Sequence, residues 1–430
     1  MASADGAVSV QGTVRPPGDK SITHRTLMLA SLVRGTSVIR HPLSSADARS
    51  TAACLRALGA AVGPLRPTQV RVRGTAWQEP SRTLHCGNAG TTARLLLGLL
   101  AAHPFETRLT GDRSLRRRPM RRVTEPLARM GAVVTEEGGD CLPLRIRGGD
   151  LRALDWTLPV ATAQVKTALL FAGLAAGVEV RVREPVRSRD HTERLLIALG
   201  APLAVDGTTV TLAAAPGWLA RCDPLDWQVA GDPSSAAFLV AAALLADDGE
   251  VCVRDVGLNP TRTGYLDVLA RMGAVIRREN VREAFGEPVG DLVVRPAPLR
   301  ATVVHAAEIA SLIDEVPVLA VLASRAAGES AFHAVGELRV KESDRLGLLA
   351  EDLRAVGAQA VVDGDTLHVV GADQPPRGHV ETAHDHRLAM AFALLQRLPG
   401  AAVTLSERVS PAVSFPNFFH TLDRMTGHVD

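Results

Sequence analysis

The sequence predicts an α/β fold of two similar domains, each made of three repeated helix-and-strand units, and three observations lead there. A helix-period run ending in Leu-x-x-apolar-Gly recurs at Leu55–Ala60, Leu127–Ala132, Leu269–Ala274 and Leu353–Ala358, and in weaker form at Ile197–Ala201, so a capping glycine returns roughly every 70 to 85 residues. Two β-rich stretches follow each glycine. At Leu203–Val205 with Thr209–Leu212, and at Gln359–Val362 with Leu367–Val370, they flank an Asp-Gly pair, a strong hairpin signal. A sixth helix ending, Leu422–Gly427, leaves no chain for its hairpin. Six units divide into two groups of three.

Taken from the N-terminus, the strand candidate Val8–Val14 is expected to complete that sixth unit. Both termini then belong to one domain, residues 1–18 and 230–430, with residues 19–229 inserted into it. Turn residues over Gly231–Ser235 mark the return crossing. Two crossings make a hinge, and a site between the domains would close on its ligand.

The first crossing leads into Gly18-Asp19-Lys20-Ser21-Ile22-Thr23-His24-Arg25. Pro16 and Pro17 fix the backbone, Gly18 turns it, and the apolar run from Leu27 begins a helix. Free N–H groups at that helix start, with Lys20 and Arg25 beside them, suit a phosphate or carboxylate. The chain has 45 arginines and three lysines, Lys20, Lys166 and Lys341, which marks a retained lysine as a candidate for work needing a compact ammonium. Lys166, in the helical run Val165–Leu170, reads instead as a solvated face. A Walker phosphate loop is nearly present but fails. Asp19 separates Gly18 from Lys20 and no apolar strand precedes, which sets nucleotide triphosphate hydrolysis aside.

Composition narrows the classes. With 430 residues, 46% of them hydrophobic and only 3% aromatic, the cores must be built from Ala, Val and Leu, and little is left for base stacking. A net charge of +2 gives no global field for nucleic acid or membrane. Five widely spaced cysteines fit reduced thiols and speak against a zinc site or a disulfide framework. The apolar runs around Leu95–Ala102 and Phe238–Ala246 are too short to cross a bilayer, and no signal-peptide pattern is visible. A soluble cytoplasmic protein is expected.

Further polar stretches follow in order. Cys86–Arg94 sets glycines and hydroxyls before an apolar helix, a second anion-site pattern. Six arginines within Arg113–Arg122 lack interleaved aromatics, so a mobile loop over a small anionic ligand is favoured over a nucleic-acid patch. Thr162-Ala163-Gln164 and Arg187–Glu193 open helices with hydroxyl, amide and guanidinium groups that suit a phosphate or polyol. In the apolar run Leu312–Pro317, Asp314 is a candidate general base with a raised pKa. On a helix, Lys341 and Arg345 would share a face, with Glu342 to its side. In His384–Arg387, Asp385 would orient His386 beside an anion-binding arginine, and no further His or Cys cluster completes a metal site.

In combination, Gly18–Arg25 (G-D-K-S-I-T-H-R), Gly87–Thr91 (G-N-A-G-T), Arg118–Met120 (R-P-M), Val340–Arg345 (V-K-E-S-D-R) and Asp385–Arg387 (D-H-R) resemble, in order and over essentially the whole chain, the 5-enolpyruvylshikimate-3-phosphate synthase family. The resemblance implies two inside-out α/β barrel domains with the active site in the cleft between them. It implies transfer of the enolpyruvyl group of phosphoenolpyruvate to the 5-hydroxyl of shikimate 3-phosphate, with release of phosphate. A cytoplasmic monomer is implied, with no metal or organic cofactor and no nucleic-acid or membrane partner.

Carried over by residue, the resemblance gives shikimate 3-phosphate to Lys20, Ser21, Arg25, Thr162, Ala163, Gln164, Arg189, Asp314 and Lys341. It gives phosphoenolpyruvate to Lys20, Gly90, Arg118, Gln164, Arg345 and Arg387. Asp314, Glu342 and Lys20 are the candidates for proton transfer, with Asp314 the hydroxyl base. The resemblance also implies that glyphosate competes with phosphoenolpyruvate and that Gly90 governs this. Two departures stand out: Thr162-Ala163 where many members have adjacent serines, and Val413-Ser414 where some place a lysine before the Phe-Pro pair. The alternatives are the related transferase acting on UDP-N-acetylglucosamine, whose loop cysteine is missing from Arg113–Arg122, and an RNA-binding protein using Arg116–Arg122.

Overall fold

The computed structural model describes residues 8–427. By internal contacts the chain forms two compact units. The terminal unit holds the chain up to Pro17, Gly231–Glu283, and the chain from Pro288 onward. The inserted unit holds Gly18–Ala230 together with the hairpin tip Ala284–Glu287, which the sequence division keeps with residues 230–430. At Gly18 there is no room for a side chain, because a Cβ would lie 2.0 Å from the carbonyl oxygen of His41.

Each repeat is a strand-helix-strand-helix run ending in a glycine, and in the first five a hairpin follows. All six repeat glycines, Gly59, Gly131, Gly200, Gly273, Gly357 and Gly427, have φ between 68° and 118°, the left-handed region that side chains resist. A full repeat makes a four-stranded sheet. Its first strand pairs parallel with its second, and the hairpin joins antiparallel through its own second strand, as with Leu154–Thr157, Val180–Arg183, Leu203–Asp206 and Thr209–Leu212. The parallel pair needs a crossover, and the intervening helix provides it.

Two sheets take their first strand from a distant segment. Ser9–Val14 pairs with Asp248–Gly257, and Asp226–Gln228 pairs with Gly35–Arg40. The N-terminal strand therefore does not complete the sixth unit, contrary to the expectation from its sequence. Its Val10 and Val14 enter the core beside Val251 and Val253, while the sixth unit stays a two-stranded sheet of Arg377–Val380 and Ala402–Leu405. Among the described residues the sixth hairpin is absent.

The core explains where the polar motifs end up. In the terminal unit the helices Pro233–Leu244, Val316–Ala323 and His386–Leu395 are buried along their whole length and pack on one another. In the inserted unit Lys20–Leu32, Gly90–Leu100 and Ala163–Ala176 are nearly as buried, the second packing on the other two. Helices apolar all round must lie inside, with the sheets as the outer layer. This is the inside-out arrangement. Its consequence is that polar residues concentrate at the inner helices' N-termini, where orphan N–H groups need partners.

Candidate active site

In the inserted unit three inner-helix starts are tied together by named bonds. Lys20 is the first residue of its helix, capped by Asp19, whose side chain accepts from the Ile22 N–H at 2.8 Å. Its Nζ lies 3.2 Å from Asp47 Oδ2. His24 Nδ1 and Thr51 Oγ1 are 2.7 Å apart, and Thr51 and Thr92 share a further 2.7 Å bond, which fixes the Lys20 helix against the Gly90 helix through Ala46–Ala57. Burial, with Lys20 and Arg25 nearby, pushes the His24 pKa down to about 3, so the ring stays neutral in this chain of hydroxyls.

Gly90 and Gln164 meet through Arg94. Arg94 donates to Gln164 Oε1 at 2.8 Å and to the Pro119 carbonyl at 3.1 Å, and Gln164 Nε2 donates to Thr91 Oγ1 at 3.1 Å. Arg118 donates to Asn88 Oδ1 at 2.7 Å, and Asn88 in turn donates to Asp112. These bonds draw the arginine-rich segment onto the glycine loop, so Gly90, Arg118 and Gln164 stand together. Arg94 was not singled out from sequence; its position one turn into the helix from Gly90 was the available signal.

Arg25 is 2% exposed and acts as a cross-brace. Its Nε donates to Thr192 Oγ1 and its Nη2 to Thr167 Oγ1, both at 2.7 Å, while Nη1 donates to the Ser21 carbonyl at 2.9 Å. Thr162 caps the Ala163–Ala176 helix by backbone alone, with no side-chain capping bond, and Ala163 opens the helix. Arg189 is half-buried between Ser188 and Asp190, both buried. Thr23 faces away from the helix start, accepting from the Leu43 N–H.

In the terminal unit the predicted residues gather around two carboxylates. Asp314 Oδ1 is 3.5 Å from Lys341 Nζ and 3.8 Å from Arg345 Nη1, and its Oδ2 is 3.7 Å from Arg387 Nη2. Arg387 also donates to the Asp314 carbonyl oxygen at 2.9 Å. The apolar surroundings expected of Asp314 are thus replaced by three cations. Asp385, 0% exposed, accepts from Arg345 Nε at 2.9 Å and from Ser343 Oγ at 3.0 Å, and caps its own helix by accepting from the Arg387 N–H. Its hydrogen bonds hold Arg345, a partner the sequence does not suggest, while His386 acts on it electrostatically. Arg345 donates to Glu342 Oε2 at 2.6 Å.

Lys341 and Arg345 do not share a helix face. A short 3-10 turn ends at Val340 and the next helix starts at Arg345, so the two cations converge on Asp314 from a bend. Burial opposes the charge of Arg345, but Asp385, Glu342 and Asp314 outweigh it and hold its pKa above the ordinary value. Its Nη1 is buried with no hydrogen-bond partner, a donor left for an anion. Behind this set, Arg262 donates to Ser234 Oγ at 2.9 Å, Ser234 donates to Glu315, and Glu315 lies 3.7 Å from Arg387. Sequence reasoning missed Arg262 and Ser234. Among the described residues, no group of three or more His, Cys, Asp or Glu is placed to hold a metal ion.

The comparisons agree on one family. A family model described as EPSP synthase (3-phosphoshikimate 1-carboxyvinyltransferase) matches residues 4–422. A protein from Gloeobacter violaceus named 3-phosphoshikimate 1-carboxyvinyltransferase is 48% identical over 423 residues, 97% of this chain and 96% of that one. One of the same name from Thermus thermophilus is 48% identical over 419 residues, again 97% and 96%. Among solved structures, EPSP synthase from Acinetobacter baumannii matches with a TM-score of 0.87 at 34% identity, covering 98% of this chain and 97% of that one. The enolpyruvyl transferase NikO from Streptomyces tendae matches at 0.73 with 19% identity over 97% and 95%, a likeness of fold alone.

Proposed function

The chain belongs to the EPSP synthase family, and from that premise we propose that it transfers the enolpyruvyl group of phosphoenolpyruvate to the 5-hydroxyl of shikimate 3-phosphate, releasing phosphate. The observation that carries the residue assignment is the cation-ringed Asp314 beside the buried Nη1 of Arg345, which has no hydrogen-bond partner. A base among fixed positive charges suits attack by a hydroxyl on an anionic substrate. Asp314 takes the hydroxyl proton as oxygen adds to the double bond, and Lys20 and Glu342 are assigned the proton delivered to the methylene carbon. Loss of a methyl proton together with the phosphate then restores the double bond on the product.

Shikimate 3-phosphate is assigned to Lys20, Ser21, Arg25, Thr162, Ala163, Gln164, Arg189, Asp314 and Lys341. With Ala163 offering only backbone, its contact is the helix-start N–H. Phosphoenolpyruvate is assigned to Lys20, Gly90, Arg118, Gln164, Arg345 and Arg387. We place the protein in the cytoplasm, where its five free thiols stay reduced. Phosphate release measured with phosphoenolpyruvate and either shikimate 3-phosphate, UDP-N-acetylglucosamine or RNA tests the reading. Release with the first alone is expected; release with UDP-N-acetylglucosamine, or none with shikimate 3-phosphate, overturns it.

Two predictions arise here. Lys20→Arg preserves charge but replaces a compact ammonium, 3.2 Å from Asp47, with a planar fork, and turnover is expected to fall by about tenfold or more. A normal rate would take Lys20 out of the chemistry. In Gly90→Ala the added Cβ would lie 2.7 Å from Arg94 Nη1 and 3.5 Å from Arg118 Nη1. Arg94 must give way, and it holds Gln164 and Pro119. Glyphosate, longer than phosphoenolpyruvate, is expected to weaken by about tenfold or more, with a smaller penalty for the substrate. The readout is the ratio of glyphosate inhibition constant to phosphoenolpyruvate KM, and no rise in that ratio would remove Gly90 from the pocket.

A further inference from the structure

Three charged side chains form a cluster that the reading above leaves without a role. Lys166 lies on the inner helix Ala163–Ala176 with its side chain 1% exposed, so it is not the solvated residue its sequence suggests. Its Nζ is 2.6 Å from Glu184 Oε2 and 2.6 Å from Glu193 Oε1, whose side chains are 1% and 3% exposed. Withdrawing an ammonium and two carboxylates from water is unfavourable, and apolar side chains of similar volume often hold a core at least as well. The helix around Lys166 is otherwise built from Ala, Leu, Val and Phe, so apolar packing was available. Glu193 Oε2 is also buried with no hydrogen-bond partner. Stability alone does not account for the cluster.

Its attachments do. Glu184 follows the strand Val180–Arg183 and accepts from the Ser188 N–H at 3.3 Å and from Ser188 Oγ, closing the exposed Pro185–Arg187 segment on itself. Asp190 accepts from Arg187 and from Arg194 at 3.0 Å each, so Arg189 lies between two pinned neighbours. On the other side, Thr167 adjoins Lys166 and Thr192 adjoins Glu193. These two hydroxyls are 2.6 Å apart, and they are the acceptors for Arg25 Nη2 and Nε. Gln164 stands two residues before Lys166 on the same helix. One ammonium therefore joins the segments that carry Gln164 and Arg189, and Arg25 bonds to the two hydroxyls beside it.

We propose that Lys166, Glu184 and Glu193 form a buried ionic clasp that positions Arg189 and Arg25 for shikimate 3-phosphate. The clasp rests on the reading that these arginines hold that substrate. An ion pair of fixed length sets the register between helix and loop, where apolar side chains would allow sliding; Lys166 is a positioning residue.

The test uses the full-length protein. The variant Lys166→Met/Glu184→Gln/Glu193→Leu removes every charge of the cluster at similar volume. It is expected to unfold at a denaturant concentration no lower than wild type. Its KM and calorimetric Kd for shikimate 3-phosphate are expected to rise about fivefold or more, with KM for phosphoenolpyruvate changed by less than about twofold. Ser188→Ala keeps the cluster charged but cuts its grip on the loop, and loss of that bond is expected to raise the same two constants about three- to tenfold, with Ser188→Thr restoring them. Unchanged shikimate 3-phosphate binding in the folded triple variant overturns the clasp, as does a loss of binding that only tracks a loss of stability. Should the triple variant not fold, unchanged binding in Ser188→Ala overturns it. Wild-type protein that fails to bind shikimate 3-phosphate overturns the substrate reading itself, a result distinct from any of these.

Discussion

With asparagine in place of Asp314, turnover is expected to fall by about 10²–10⁴ while KM for shikimate 3-phosphate stays within about threefold. Asparagine keeps the shape and the polar contacts but cannot take a proton. Lys341, Arg345 and Arg387 lie within 3.8 Å of the carboxylate and stay in place, so the positive charge that attracts anionic substrates persists. Initial rates with each substrate varied in turn make the comparison. An equal fall in kcat/KM carried entirely by KM would show that Asp314 binds and does not act as the base. A near-normal rate would move that role elsewhere.

Arg345→Met is expected to destabilise the terminal unit by about 3–5 kcal/mol, because removing one partner of a buried ion pair strands the other. Arg345 and Asp385 are both 0% exposed. Burial opposes the charge on Asp385, yet Arg345 beside it holds its pKa below the ordinary carboxylate value. A depressed carboxylate contributes stability above its unfolded-state value and loses that contribution as pH falls through the folded-state one. The gap between wild type and variant should therefore be full at neutral pH and shrink on strong acidification. Arg345→Met/Asp385→Asn should recover part of the loss, since no buried charge is then left alone. Denaturant unfolding at neutral and acid pH reads both effects; equal stability of wild type and Arg345→Met would mean that the pair is not as dry as its geometry indicates.

The repeat was legible because its signals are local. A glycine that ends a helix with positive φ can be read from five or six residues, and all six marked positions take that conformation. The Asp-Gly pairs likewise mark hairpins at Leu203–Leu212 and Gln359–Val370, where Asp206 pairs with Thr209 and Asp363 with Thr366 across two turn residues. Strand partners at long range were not legible. Ser9–Val14 could serve any parallel position with a free edge, and only the packing of Val10 and Val14 beside Val251 and Val253 selects one.

For the candidate site, the sequence by itself determined which residue types stand at the helix starts around Lys20, Gly90, Gln164, Arg345 and Arg387, on which the proposed anion binding rests. Those motifs are short, and each works through its own backbone turn. Only the tertiary structure decided what each charge faces. Lys166 sits in a helix with no polar face, so periodicity could not tell a solvated ammonium from one enclosed by Glu184 and Glu193, which come from a later strand end and helix. Asp385 beside His386 in sequence also accepts from Arg345, 40 residues away, because a buried guanidinium needs a carboxylate within reach. Helix-start chemistry is encoded by neighbours along the chain, whereas the partner of a buried charge is encoded by desolvation, which exists only once distant segments have closed over it.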